Sequence, residues 1–236
     1  MLKLPSHLNP IIHTGRQADF GSLARSIRNQ CVRRHTSVGL RRDLSVCLPI
    51  PRAQIELSVY ETSKVAVESL VSQTQALSAH ERREVALRLK CAREDVGRCY
   101  IAFTNPGGKA CFVQWVFDTH DNPWVQSFFR RRFPLLKEGE VLFENAYTPP
   151  PFRGLGVMSS AMATIAAQEA ALGAQYGLTF VAHDNIASLK GCAKAGFHPY
   201  TSRHDASYFF GLFRKRRFVP LPQSEAGGVH AHHRAN

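Results

Sequence analysis

Phe143-Glu144-Asn145-Ala146-Tyr147-Thr148-Pro149-Pro150-Pro151-Phe152-Arg153-Gly154-Leu155-Gly156-Val157-Met158 is the stretch on which the fold turns. The residues leading into it, Val141–Tyr147, are β-rich and read as a strand. The Pro/Gly-rich run 149–156 ends any regular element. Beyond it, Met158, Met162, Ile165 and Leu172 fall on one stripe and predict a helix over Val157–Tyr176, stopped by Gly177. Gly154 and Gly156 let the backbone turn tightly and approach a ligand. The helix start behind them offers unpaired N–H groups and the positive end of its dipole. Strand, glycine pair and helix together make an anion site of the size of a pyrophosphate. A phosphate loop of the GxxxxGK[ST] kind is excluded because no Lys-Ser/Thr follows. A dinucleotide fingerprint is excluded because Ser159 stands where its third glycine belongs.

Downstream, Leu178–Ala182 is a short continuous apolar strand of the buried parallel type. A second helix is predicted over Ile186–Ala195, ending at Gly196, and a strand pair near Phe197–Tyr200 and Tyr208–Phe213. Upstream, Ile55–Tyr60 alternates as a half-buried strand does. A helical region follows, with Ser78 and Glu81 spaced as a capping box and Gly97 as its stop. Cys99–Thr104 and Ala110–Phe117 are separated by Asn105-Pro106-Gly107-Gly108 and read as a hairpin. Residues 118–139 form a connection too long for a turn, carrying Trp124, Phe128, Phe129, Phe133 and the run Arg130–Arg132. The expected fold class is α/β (an α+β mixed sheet): a central mixed β-sheet with a parallel βαβ core flanked by helices.

The chain has 236 residues and a net charge of +12. Residues 1–52 hold nine Lys/Arg against Asp19 and Asp43. They read as a basic N-terminal extension, helical or partly disordered, able to meet an anionic partner. The domain proper is expected over 53–219, and 220–236, with His230, His232 and His233, as a disordered tail. The cysteines Cys31, Cys47, Cys91, Cys99, Cys111 and Cys192 form no CxxC pair. They read as free thiols of a cytoplasmic protein, and no residue group has metal spacing. No apolar run approaches the roughly 20 residues of a membrane span, and no secretory signal is expected.

Pro150-x-Phe152-Arg153-Gly154-x-Gly156-Val157-Met158 resembles motif A of the GNAT acetyltransferase superfamily. Asn185-x-x-Ser188 followed by Lys194-x-Gly196-Phe197 resembles that family's second signature, and the likeness covers roughly residues 53–215. Pro151 departs from the usual Gln/Arg, which shifts the phosphate grip onto backbone N–H groups. The resemblance implies an acyltransferase that moves an acetyl group from acetyl-CoA, as co-substrate, to a primary amine by direct attack in a ternary complex. Binding residues implied for the cofactor are Ala146, Tyr147, Thr148, Phe152, Arg153, Gly154, Leu155, Gly156, Val157, Met158, Asn185 and Ser188.

Such chemistry needs a deprotonated amine, a donor at the thioester carbonyl and a proton for the thiolate. Glu144, on the strand entering the loop and set among apolar residues, is the candidate base. Strand alternation puts Glu144 and Ala146 on one face and Phe143 and Asn145 on the other. Cys192 stands where relatives often have a proton-donating Tyr. His183, at a strand end, is an alternative acid or base. The acceptor is expected to be a small molecule. Two other functions stay open: longer acyl transfer from acyl carrier protein, as in N-acyl amino acid or homoserine-lactone synthases, and a catalytically degenerate basic binding protein. Nucleic acid is not the expected partner, and the oligomeric state, with a dimer among the options, is left open.

Overall fold

A computed structural model of the chain describes residues 32–62, 79–94, 96–208 and 213–222. Ser78, the histidine-bearing tail and most of the basic extension lie outside the described residues. The elements are β1 (Val32–Asp43), β2 (Glu56–Glu61), α1 (Ala79–Arg93), β3 (Arg98–Asn105), β4 (Ala110–Phe117), α2 (Asn122–Phe128), β5 (Glu140–Tyr147), α3 (Val157–Ala171), β6 (Tyr176–Ala182), α4 (Ile186–Lys194), β7 (His198–Tyr208) and β8 (Phe213–Pro220). They form one mixed sheet in the order β2-β3-β4-β5-β6-β1-β7-β8. The β5–α3–β6 unit is the parallel centre, and β2 to β5 pair antiparallel. The mixed α/β class and its parallel core are those expected from the sequence.

Two units can be told apart. Among the described residues, the larger comprises those within 35–204 together with 217–222, and the smaller comprises 32–34, 205–208 and 213–216. Within the smaller one, Arg216 is paired with Asp205. All further description concerns the larger unit.

Every residue of β4 is buried, because both sheet faces are covered. Phe112 and Val116 pack with Phe143 and with Ala161, Met162 and Ile165 of α3. Val113, Trp115 and Phe117 pack on the other face with Val85 of α1, Val125 of α2, Phe129 and Phe133. The aromatics of 118–139 stack on one another and on this face: Trp124 lies 4.3 Å from Phe128, and Phe133 5.5 Å from Phe180, centroid to centroid. They are spent on packing, worth about 1 kcal/mol per ring pair beyond area.

Several expectations are corrected. Residues 37–43, assigned to a separate extension, pair antiparallel with 176–182 as part of the sheet. The helix after the glycine loop stops at Ala171, with Gly173 at φ +97° just beyond it. Gly177 is no helix stop but part of β6, where a Cβ would come within 2.9 Å of the Phe143 ring. The final strands are His198–Tyr208 and Phe213–Pro220, so the first runs on past the expected Phe197–Tyr200. The expected Tyr208–Phe213 holds only the end of one and the start of the other, with 209–212 outside the described residues.

One buried ionic cluster ties α3 to β3. Glu169 is fully buried and takes Arg98 in a two-pronged pair, 2.9 and 2.7 Å, plus the Tyr100 hydroxyl at 2.7 Å. Removing the carboxylate leaves the buried Tyr100 hydroxyl without its acceptor and the half-buried Arg98 guanidinium with Asp118 alone. Glu169→Ala is therefore expected to cost about 3–5 kcal/mol, read as a lowered urea midpoint; a change below about 1 kcal/mol would show that the pair is dispensable.

Candidate active site

Strands β5 and β6 stay paired for only three positions: Glu140 with Tyr176, Val141 with Gly177 and Leu142 with Leu178. Beyond that they part. The Phe180 N–H, which a continued ladder would have occupied, donates instead to the Glu144 carboxylate at 3.3 Å. The fork thus opens at the carboxyl ends of two parallel strands, where such sheets collect ligands.

The other edge of β5 is irregular as well. Val113 pairs with Tyr147 and Trp115 with Glu144, so three steps on β5 match two on β4. Asn145, at φ +56°, is the extra residue of this bulge. The bulge overturns the expected alternation. Ala146 packs with Phe143 in one core cluster and Tyr147 belongs to the opposite one. The Asn145 amide reaches back to the Cys91 sulfur of α1, 2.8 Å away. The carbonyls of Asn145 and Ala146 are taken by the buried Arg88 guanidinium of α1, at 3.1 and 2.6 Å.

Glu144 is partly buried, and its carboxyl is enclosed closely enough that loss of solvent dominates. Burial pushes its pKa up to about 7, against the Phe180 N–H and the charges of Arg203 and Arg88, which pull it down. Arg203 is itself held by the Arg132 carbonyl and the Ser37 hydroxyl, both at 2.9 Å. A carboxylate so poised can exchange a proton near neutrality.

Beside the fork lies a cleft of about 540 Å³. Its floor is Ala146, Tyr147 and Thr148, and one wall is the loop Phe152–Gly154 with the start of α3 at Gly156, Val157 and Met158. Gly154 and Gly156 sit at φ +79° and +76°, a region that costs other residues about 1–2 kcal/mol. A Cβ on Gly154 would meet nothing within 4 Å, so its backbone faces open space. Leu155 turns the other way, against the core, and its carbonyl accepts the Gln54 N–H at 2.9 Å. Arg153 curls back: its Nε donates to the Thr148 carbonyl at 3.0 Å and its Nη1 pairs with Glu81 at 3.1 Å.

The facing wall is α4. Asn185 caps it through a 3.1 Å bond from the Ser188 N–H, and both residues line the cleft. Sequence reasoning did not single out Glu81, Ala187, Lys190 or Gly191 as cleft residues; Lys194 was noted only as part of a motif. A period of three to four running on from Asn185 is the signal that finds the helical ones.

Glu144 is not itself a lining residue and stands behind the floor, two positions before Ala146, and the two other candidates lie elsewhere. Cys192 is buried in the core and does not line the cleft; burial pushes its thiol up to about 12, too weak an acid for a thiolate of ordinary pKa near 8.5. His183 is exposed and off the cleft, its backbone N–H tied to the Thr36 carbonyl at 3.1 Å. No group of three metal-ligating side chains occurs among the described residues. No described helix is long and apolar enough to cross a membrane.

No family model and no curated protein matches the sequence. Solved structures do. A GCN5-related glucosamine N-acetyltransferase region of a fungal multi-domain β-N-acetylglucosaminidase is 12% identical over 89% of this chain and 23% of that one, with TM-score 0.52. A functionally unknown conserved protein of Staphylococcus epidermidis is 7% identical over 78% of this chain and 65% of that one, with TM-score 0.51. A GCN5-related N-acetyltransferase of Sphaerobacter thermophilus is 13% identical over 85% and 57%, with TM-score 0.48. The chain thus spans less than two thirds of each of these proteins. At such identities the likeness is one of fold.

The left-handed loop carries its own check. Gly154→Ala and Gly156→Ala are each expected to lower stability by about 1–2 kcal/mol, measured by urea denaturation. The Gly154 change meets open space, so a cost well above that range would show that more than backbone strain is at work.

Proposed function

We propose that the chain is an acyltransferase that carries an acetyl group from acetyl-CoA to a primary amine, by direct attack within a ternary complex. The observation that carries this reading is the Glu144 carboxyl at the fork, with a pKa of about 7, beside a cleft that ends on a helix start and a glycine loop. The pyrophosphate lies against the N–H groups of the loop and of α3. The pantetheine arm follows Ala146–Thr148, whose backbone N–H groups face the thioester carbonyl. The Asn185 Oδ1 caps α4, and its amide nitrogen is the group that donates to the pantetheine arm.

Glu144 takes the proton from the incoming ammonium or from the attacking amine. The amine nitrogen bonds to the carbonyl carbon, charge builds on the carbonyl oxygen opposite the N–H donors, and the C–S bond breaks to release the thiolate. Cys192 has no place in this scheme. The acceptor is proposed to be a small molecule. Transfer from acyl carrier protein draws no support from the 118–139 aromatics, which are consumed in packing.

Glu144→Gln is expected to lower kcat by roughly 10²–10⁴-fold and to remove the rise of kcat/KM with pH through about 7. Unchanged turnover and profile would refute the base assignment. The same variant has a stability signature of known sign. A carboxyl whose pKa the fold raises from 4.5 to about 7 stabilises the native state below the lower value, and that contribution is lost as pH rises through the higher one. Glu144→Gln is therefore expected to be more stable than the parent at pH 8, by about 3 kcal/mol, and equal to it at pH 4, in matched urea titrations.

A further inference from the structure

The glycine loop carries a cation in its sequence but not in its electrostatics. Arg153 is the only Lys or Arg of the loop wall, and it faces a carboxylate: Glu81 lies 3.1 Å from Nη1, while Nε is taken by the Thr148 carbonyl. The Arg153–Glu81 pair brings no net charge to the cleft. What remains on that wall is backbone N–H groups and a helix end, equivalent to about half a charge. A nucleotide carrying several phosphate charges needs more than that.

The facing wall supplies it. Five residues of α4 line the cleft, Ala187, Ser188, Lys190, Gly191 and Lys194, and Ala187, Lys190, Gly191 and Lys194, at spacings of three and four, share one helical face. The small residues keep the middle of this face low, and a Cβ on Gly191 would come within 3.2 Å of the Met158 sulfur, which brings α4 close to the first turn of α3. The two lysines, one turn apart, are exposed, and neither joins an ion pair among the described residues. A lysine is a mobile point charge that meets a phosphate without a fixed fork geometry.

We propose that Lys190 and Lys194, and not Arg153, neutralise the phosphate-bearing end of the donor, Arg153 serving to tether the loop to α1 through Glu81. The assignment rests on the donor being a CoA thioester, and its test separates the two. Calorimetric titration of the full chain with CoA, and with pantetheine as a phosphate-free probe, compares the parent with Lys190→Gln/Lys194→Gln and with Arg153→Gln. The double variant is expected to bind CoA roughly ten- to hundredfold more weakly, with a flatter dependence on salt, and to bind pantetheine as the parent does. Arg153→Gln is expected to change CoA affinity less than about threefold while lowering the urea midpoint. Near-parent CoA affinity in the double variant, or an equal loss in Arg153→Gln, overturns the assignment. Absence of CoA binding by the folded parent overturns the donor reading, and the assignment with it.

Discussion

Arg88 is the side chain on which the shape of the site depends. A bulge in a central strand turns two carbonyls out of the ladder, and in a buried place each is an acceptor that must be met. The guanidinium of Arg88 meets both, Asn145 and Ala146 together. Its planar fork suits that geometry in a way a lysine could not. Burying the charge is costly, and the cost is offset by those carbonyls, by the nearby Glu144 carboxylate and by the Tyr147 ring, 5.1 Å from the guanidinium carbon. Without this clamp the two carbonyls of the bulge lose the donor that meets them.

The parting of β5 from β6 arranges the rest. The ladder ends at Leu142 and Leu178, leaving the Phe180 N–H to Glu144. Glu144 is thereby fixed at the fork by the bond that also tempers its pKa. Burial raises that pKa, while Phe180, Arg203 and Arg88 lower it. The result near 7 is a balance between a large desolvation cost and the partners that favour the ionised form, the Asn145 N–H among them. Shape and acidity at this point are one construction, because the same guanidinium holds the bulge and faces the carboxylate.

The sequence makes part of this plain. The strand entering the glycine loop, both glycines and the start of the helix behind them are local features, and the structure has them within a residue or two, while the helix ends five residues earlier than expected. The cap at Asn185 is local too. Arg88 is not legible: in the sequence it is one more charged residue of an amphipathic helix, and its partners lie 57 and 58 positions away. The bulge is legible only in part: Asn145 is a residue that tolerates a strand irregularity, but the left-handed backbone it adopts is imposed by tertiary contacts. Gly177 reads as a helix stop because glycine usually is one there, and only the Phe143 ring packed against it shows why a strand needs it. Cys192 takes its candidacy from its position seven residues after Asn185, and only the packing shows that the thiol is buried away from the cleft.

The basic composition misleads in a related way. A net charge of +12 suggests an anionic partner, and residues 1–52 read as a basic extension. Yet Arg42 is buried with its guanidinium on the Ala195 carbonyl, Arg41 lies 3.7 Å over the Tyr176 ring, and both belong to a strand in the sheet. Arg98 is consumed by Glu169 and Asp118, Arg203 by a carbonyl and a hydroxyl. Arginine is the residue for such places, because its charge is weakly hydrated and its donors are many. Formal charge therefore overstates what the surface can offer to an anion. The informative cations are the ones left without a carboxylate beside a cleft, and along this cleft those are lysines on α4.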